Sequence, residues 1–324
     1  MCENKKNCLY IVIPCYNEEQ VLPVTSGMFL DELNHLIKAG KISSGSRIMF
    51  VNDGSSDSTW DIITDLSKKD EHFIGISQSR NRGHQSSVLA GLMEASQYAD
   101  MTISIDCDGQ DDIHAMEDMV DAYHDGCDIV YGVRNNRSTD TFFKRNTAKG
   151  FYKIMAKLGA ETVYNHADYR LMSKRAVDEL KNYKEVNLFL RGIIPLIGFE
   201  TSTVEYDRGE RFAGKSKYPL KNMIYFAIDG ITSTSVRPIR MITMFGLLCI
   251  LFSIAYGIYV IIGHAAGGTV QGWTTSVLLI CFFGGAQIMC TGVVGEYVGK
   301  IYLETKARPR FIIEEKLTDE SKDK

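Results

Sequence analysis

Asp106 and Asp108 stand two residues apart, directly after the apolar run at 101–105, and Gln110 follows them. Carboxylates at positions i and i+2 of an extended chain point to the same side. Mg²⁺ and Mn²⁺ prefer such oxygen ligands and commonly bind one or two carboxylates together with phosphates of a substrate. A cation there would neutralise a departing diphosphate. Taken alone, this spacing is more typical of an acidic loop that caps a helix. Its position in the fold therefore decides between a metal site and a capping loop.

Polar residues follow two earlier apolar runs in the same way, at 15–18 and at 52–53. Short apolar runs alternate here with segments of helical spacing, which predicts an α/β fold whose mostly parallel sheet carries helices on both faces. The predicted strands are 9–13, 47–51, 73–77, 101–105 and 128–133, and the predicted helices are 18–39, 58–68, 84–96 and 113–124. Ligands of such sheets bind beyond the carboxyl ends of the strands. We therefore expect a site where these three polar clusters meet. His84 opens a predicted helix, and we expect it to cap or pack.

The composition of the chain becomes strongly apolar after Arg240, where two long segments, 241–263 and 273–295, contain no charged residue. Each reaches the roughly 20 apolar residues that a helix needs to cross a bilayer. The connector 264–272 has no Lys or Arg, whereas basic residues flank the pair: Arg237, Arg240, Lys300, Lys306, Arg308 and Arg310. This asymmetry predicts a multi-pass protein of the cell membrane with both termini in the cytoplasm.

The expected domains are a cytoplasmic catalytic domain at 1–217 and an amphipathic interfacial helix at 218–238. Two transmembrane helices at 239–303 (about 241–263 and 273–297) and a cytoplasmic tail at 304–324 follow. A helix of the soluble domain is an open alternative for 218–238. The charged residues from Glu314 onward predict disorder.

Three bulk features exclude other classes of protein. The net charge of -4 argues against a dedicated nucleic-acid binder. The eight cysteines form no C-x-x-C pair, which predicts free thiols in a reducing compartment and no zinc or redox motif. The first residues, MCENKKN, lack the apolar stretch of a signal peptide.

The motifs together resemble a known enzyme family. IPCYNEE at 13–19, VNDGSSD at 51–57 and DCDGQ at 106–110 are similar to the family 2 inverting glycosyltransferases of GT-A (Rossmann-like) fold. Five later motifs resemble a narrower group, the polyprenyl-phosphate glycosyltransferases, which includes dolichol-phosphate mannose synthase and bactoprenol glucosyltransferase. These motifs are ADYRLM at 167–172, RG at 191–192, RFAGKSKY at 211–218, DGITS at 229–233 and GEY at 295–297. One departure is Gly109, where relatives often have leucine.

The resemblance implies roles for individual residues. Pro14, Tyr16, Asn17 and Glu18 would border the nucleotide, Asp53 would accept a hydrogen bond from the base, and Asp106 would also contact the nucleotide sugar. Asp106, Asp108 and Gln110 would hold Mg²⁺ or Mn²⁺ and the diphosphate. Asp168 takes the place of the catalytic carboxylate. Donor or acceptor phosphates would contact Arg134, Arg145, Arg211, Ser216 and Lys217.

The acceptor's chemistry bears on the role of Asp168. A phosphate monoester has a second pKa of ~6 and is largely dianionic at neutral pH, so it needs little help from a general base. Asp168 would then orient the acceptor, hold the sugar or tune a cation. Arg208, Arg211, Lys215 and Lys217 lie within a stretch that we interpret as a mobile loop closing on phosphates. A basic segment that binds anionic lipid is the alternative.

The expected reaction is inverting, metal-dependent transfer of a sugar, with glucose from UDP-glucose as first choice, to undecaprenyl or another polyprenyl phosphate for cell-envelope glycosylation. The expected partners are the nucleotide sugar, the lipid and the membrane. A homo-oligomer, dimer or tetramer, formed through the two spans is a further hypothesis, because the glycines of the second span would let helices approach closely. Two other functions stay open, a processive polysaccharide synthase and a non-catalytic nucleotide-sugar-binding membrane subunit.

Overall fold

The computed structural model describes residues 6–134, 166–207, 209, 237–266 and 272–317. Strand and helix alternate through the first part, as predicted, and each predicted element is found within a few residues of its expected bounds. The elements are β1 (Leu9–Cys15), α1 (Leu22–Lys38), β2 (Arg47–Asn52), α2 (Thr59–Lys69), β3 (Phe73–Gln78), α3 (His84–Ala95), β4 (Met101–Ser104), α4 (Ala115–His124) and β5 (Ile129–Arg134). Helix α1 starts later than predicted, with Pro23 in its first turn, where proline's missing N–H costs nothing.

The second part completes the sheet and adds two long helices. Its elements are β6 (His166–Ser173), α5 (Lys174–Leu180), α6 (Leu190–Ile193), a 3₁₀ turn (Ile194–Ile197), β7 (Thr201–Tyr206), α7 (Arg237–Ala265), α8 (Trp273–Lys306) and β8 (Ile313–Leu317). The strand order is β7-β5-β6-β4-β1-β2-β3-β8. β4, β1, β2 and β3 run parallel, as do β5 and β7, whereas β6 and β8 pair antiparallel to their neighbours.

The sheet is buried on both faces, which explains why its central strands are apolar throughout rather than alternating. Leu9, Ile11 and Ile13 of β1 pack with α1 and α4 on one face. Tyr10 and Val12 pack with α3 and α5 on the other. Burying each such aliphatic side chain contributes roughly 1.5–3 kcal/mol. The two packed faces fix the strand ends, and the strand ends carry the polar clusters.

Helix α7 lies outside both cores. Its segment Arg237–Gly263 has a mean hydropathy of 2.4 and is not buried against the rest of the described chain. The segment is long and apolar enough to cross a membrane. It is the one such helix found in the described part of the chain. Helix α8 covers the second predicted span and continues to Lys306, beyond the predicted end. Membrane crossing by either helix stays a prediction, and residues 218–236 lie outside the described ones.

The prediction of disorder from Glu314 onward is wrong for the first residues of that segment. Strand β8 adds antiparallel to β3, with Lys316 opposite Ile76 and Glu315 opposite Ser77. Its charges find partners on the domain, because Trp60 Nε1 donates to Glu315 Oε2 at 2.6 Å and Lys316 Nζ lies 2.6 Å from Glu94 Oε1. Residues 318–324 lie outside the described part.

Candidate active site

The three polar clusters meet at one edge of the sheet. The backbone N–H of Asp53, after β2, donates to the Cys15 carbonyl at 2.9 Å, and the N–H of Ile105, after β4, donates to the Val12 carbonyl at 3.1 Å. Parallel pairing of β4, β1 and β2 therefore brings the acidic loop 106–112 beside the loops that follow β1 and β2. This arrangement is the one predicted from the sequence.

The acidic loop has the donors that a hard divalent cation prefers. Asp106 and Asp108 are both partly exposed, and the N–H of Gln110 donates to Asp108 Oδ1 at 3.2 Å. Burial raises the pKa of Asp106, and the nearby carboxylates of Asp168, Asp111 and Asp108 raise it further, against the opposing effect of His84. A positive charge at this point would favour the ionised carboxylate.

Within the described ranges, no group of three or more His, Cys, Asp or Glu side chains is placed to hold a metal ion. Two carboxylates with the amide of Gln110 leave coordination positions for phosphate oxygens, which is how Mg²⁺ usually binds at phosphoryl sites. The residues present therefore fit a cation that binds together with a diphosphate.

Asp168 on β6 is surrounded by cations. Arg191 on α6 makes a two-point contact with it, with Nε to Oδ1 at 3.1 Å and Nη2 to Oδ2 at 3.0 Å. Arg170, two residues along β6 and fully buried, donates to Oδ1 at 2.5 Å. Burial alone would raise the pKa of Asp168, but Arg191, a hydrogen bond with His84 and Arg170 hold it well below its usual range. Asp168 is thus an ionised carboxylate with little tendency to take up a proton.

His84 links this carboxylate to the acidic loop. Its Nε2 lies 3.3 Å from Asp168 Oδ2 and 3.8 Å from Asp106 Oδ1. Burial lowers the pKa of His84, but the two carboxylates outweigh that effect and raise the pKa to about 9. These ionic contacts add to the expected position at the start of α3, and a catalytic role for His84 is not tested by them. The contacts could have been anticipated, because His84 follows the carboxyl end of β3, at the same sheet edge as the other clusters.

The residues predicted to border the nucleotide lie at this edge, and polar atoms of Asn17 and Glu18 hydrogen-bond to neighbouring loops. Asn17 adopts a φ of 53° and its Oδ1 accepts from the Ser56 N–H at 2.9 Å. The N–H of Glu18 donates to Thr59 Oγ1 at 2.9 Å. Pro14 is buried within β1, whereas the Tyr16 ring is 42% exposed, which suits stacking on a base.

Asp53 has a structural task beside the predicted one. Its carboxylate accepts from the N–H groups of Arg82 and Gly83 at 2.8 and 2.9 Å, and only 2% of the residue is exposed. It therefore holds the loop that leads into His84. Its contact with a nucleobase stays a prediction. Beside Asn52, Gly54 and Arg80 lies an open groove of about 510 Å³, and β8 adds Glu314 and Glu315 to its wall.

Arg134 points toward the acidic loop from β5. It donates to Asp111 Oδ1 at 3.1 Å and to the Tyr206 hydroxyl at 3.2 Å, so its predicted phosphate contact is not tested by these bonds. The N–H of Gly209 donates to the Gln110 carbonyl at 2.8 Å, which brings the start of the predicted basic loop to the acidic one. The remaining predicted phosphate ligands lie outside the described residues: Arg145, Arg208, Arg211, Lys215, Ser216 and Lys217.

A comparison with known proteins decides the family. The profile of glycosyl transferase family 2 matches residues 10–181, which contain the three strand-end clusters and Asp168. The chain belongs to glycosyl transferase family 2. This glycosyltransferase has the α/β, mostly parallel GT-A fold expected from its motifs.

Two relatives match over nearly their whole length. The "Uncharacterized glycosyltransferase YkoT" of Bacillus subtilis is 50% identical over 312 residues, 96% of this chain and 93% of the relative. The "Bactoprenol glucosyl transferase" of Shigella phage SfX is 38% identical over 307 residues, 94% of this chain and 97% of the relative. The resemblance to the bactoprenol group is thereby confirmed. Among solved structures, glucosyl-3-phosphoglycerate synthase from Mycobacterium tuberculosis aligns with a TM-score of 0.46 at 14% identity, covering 72% of this chain and 79% of that one.

Proposed function

We propose that this glycosyltransferase moves a sugar, with inversion, from a nucleotide diphosphate to the phosphate of a polyprenyl phosphate at the cytoplasmic face of a membrane. The observation that carries the proposal is the environment of Asp168. Arg170, Arg191 and His84 surround its carboxylate and hold its pKa well below the usual range. A carboxylate in this state is a weak base.

A weak base at this position suits an acceptor that is already an anion. An alcohol must lose a proton as it attacks, so it needs a general base with a well-matched pKa. A phosphate monoester, with its second pKa of ~6, is largely dianionic at neutral pH and attacks unaided. Asp168 therefore acts by fixing Arg191 and His84 near the reacting groups.

The acceptor must approach a donor of the same charge. Two unit charges 4 Å apart repel by ~4 kcal/mol at an effective dielectric constant of ~20. Arg191 is 29% exposed and His84 is 35% exposed, so both cations can face a bound anion while remaining paired with Asp168. We expect the basic stretch that starts beside Gln110 to add further positive charge.

The acidic loop indicates how the nucleotide-sugar donor would bind. Asp106, Asp108 and Gln110 would hold Mg²⁺ or Mn²⁺ next to the diphosphate. A divalent cation bound there supplies positive charge to the leaving nucleoside diphosphate. Tyr16 offers an exposed ring to the base. UDP-glucose is the donor we favour, because the relatives at 38% identity are named as glucosyl transferases.

Membrane attachment fits the same acceptor. Relatives named for bactoprenol match 94% of this chain, a share large enough to include the apolar helices. Helix α7 has many exposed apolar side chains, and none of its apolar segment is buried within the described part of the chain. Holding the enzyme in the bilayer confines it near its lipid substrate, which raises the effective concentration of the acceptor.

The direct test is a transfer assay with the purified full-length chain in detergent. Polyprenyl phosphate, Mg²⁺ or Mn²⁺ and a panel of radiolabelled nucleotide sugars are supplied, and label extracted into organic solvent is counted. We expect product from one donor, lost in Asp108→Ala and with a chelator, and retained in Asp118→Asn, an exposed residue of α4. A folded protein that binds nucleotide but makes no product from any donor would instead be a binding subunit.

A further inference from the structure

The segment after the second long helix returns to the catalytic domain. We call Glu304–Leu317 the C-terminal strap. Its last part, β8, pairs with β3, and the Ile312 carbonyl accepts from the Ser79 N–H at 3.0 Å. Phe311 and Ile313 pack against the apolar core on the α3 face. Arg310 Nη1 donates to the Tyr183 carbonyl at 2.5 Å. The strap therefore contacts both the loop that leads to His84 and the loop that follows α5.

Glu304, in the last turn of α8, makes the most specific of these contacts. Its Oε2 accepts from the Val186 N–H at 2.9 Å and its Oε1 accepts from the Asn187 N–H at 2.8 Å. An acidic residue near a helix C-terminus is unfavourable, because the last carbonyls already carry partial negative charge. Two backbone donors from another part of the fold offset that cost. Hydrogen bonds to an ionised acceptor are also stronger than neutral ones.

The loop that Glu304 holds leads directly to Arg191, which contacts Asp168. Three residues after Asn187, the N–H of Leu190 at the start of α6 donates to Gln85 Oε1 at 3.0 Å. The next residue is Arg191, whose guanidinium contacts both oxygens of Asp168. Gln85 follows His84 in α3. Glu304 on one side and Gln85 on the other thus hold the short segment that carries Arg191.

We propose that Glu304 is a positioning residue: through Val186 and Asn187 it holds Arg191 on Asp168, and it couples the end of the apolar helix α8 to the active site. The inference rests on the proposed function for its kinetic consequences. The contact itself does not depend on which sugar or lipid is used. A shift of α8 would reach Arg191 through one side chain and a segment of a few residues.

The test uses the full-length protein in detergent with the donor and lipid identified by the transfer assay. We expect Glu304→Ala to lower kcat about tenfold, since it removes two charge-assisted hydrogen bonds, while KM for the donor stays within about twofold. Glu304→Gln retains one carbonyl oxygen and should give an intermediate value. Glu185→Gln is the matched control, because it removes the same charge from the exposed side of the same loop, and its kcat should match the wild type.

A double-mutant cycle separates positioning from general loss of stability. If Glu304 acts through Arg191, then Glu304→Ala adds no further loss of kcat in an Arg191→Ala background. Effects that multiply would overturn the proposal, as would a kcat for Glu304→Ala within about twofold of the wild type.

Hydrogen exchange keeps the two proposals distinguishable. Peptides covering 183–193 should exchange faster in Glu304→Ala than in Glu185→Gln, whether or not the wild type transfers sugar. Equal exchange in the two variants would disprove the contact. A wild type that makes no lipid-linked product, but shows the exchange difference, would overturn the proposed function and leave the positioning contact standing.

Discussion

Asp168→Ala removes the carboxylate that balances the charge of Arg170, and the burial of this pair indicates how much stability the protein should lose. Arg170 is fully buried, and Asp168 is its one ion-pair partner in the described part of the chain. Removing one member of a buried ion pair costs about 3–5 kcal/mol, because the other charge is left without compensation. The side chains of Arg191 and His84 are 29% and 35% exposed, so water partly solvates their charges. Losing their contacts with Asp168 should therefore add little to the loss of stability.

A loss of that size is easily measured. For a domain of this size each kcal/mol lowers Tm by about 2–4 °C, so we expect Asp168→Ala to melt about 10 °C below the wild type. The assay is thermal unfolding of the full-length protein in detergent, followed by intrinsic fluorescence. Glu117→Ala is the control, because Glu117 pairs with Lys41 at the solvent-exposed surface at 2.9 Å and its loss should leave Tm almost unchanged.

A second variant distinguishes charge from packing. Asp168→Ala combined with Arg170→Leu removes both charges, and replacing a buried ion pair with apolar groups is often neutral. We expect the double variant to regain most of the lost Tm. If Asp168→Ala melts within about 2 °C of the wild type, or if the double variant melts below the single one, the reasoning about this cluster is refuted.

Three further results are expected. Gly54→Ala should lower nucleotide affinity at least about tenfold by calorimetry, because φ is 61° and an added Cβ would lie 2.5 Å from the Arg80 carbonyl carbon; unchanged affinity would contradict this. Asp108→Asn should reduce kcat about 100-fold or more and leave Tm within about 2 °C, since Asp108 is partly exposed; retained activity in the presence of a chelator would oppose a metal role. The pKa of Asp168 is lowered on folding, so its stabilising effect is present above about pH 4 and is lost only as pH falls through the lowered value. From about pH 5 to 8, below the pKa of about 9 of His84, the kcat/KM profile should therefore show only the acceptor limb near pH ~6, and Asp168→Asn should keep that limb.

The positions of the strand-end clusters could be predicted because they depend on short-range patterns. Apolar runs ending in Asn17, Asp53 and Asp106 specify strands and turns locally, and parallel pairing then brings their ends together. The alternation of strand and helix likewise specified the sheet. Both inferences needed only patterns within single segments of the chain.

The cation cluster and the strap could not be predicted in the same way, because they depend on pairs far apart in the chain. His84 and Asp168 are 84 residues apart, and Trp60 bonds to a residue 255 positions later. Charged residues such as Glu315 and Lys316 predict disorder when they are considered alone. They form a strand here because β3 offers an unpaired edge and the domain supplies partners of opposite charge.

The most direct test of the proposed reaction compares two lipids that differ only in the acceptor group. The purified full-length protein, its best nucleotide sugar and Mg²⁺ are incubated with either polyprenyl phosphate or the matching polyprenol, and lipid-linked product is measured. Because Asp168 is a weak base, we expect product from the phosphate and at least about 100-fold less from the alcohol. Comparable transfer to the alcohol would contradict the account, since it would require an effective general base at this site.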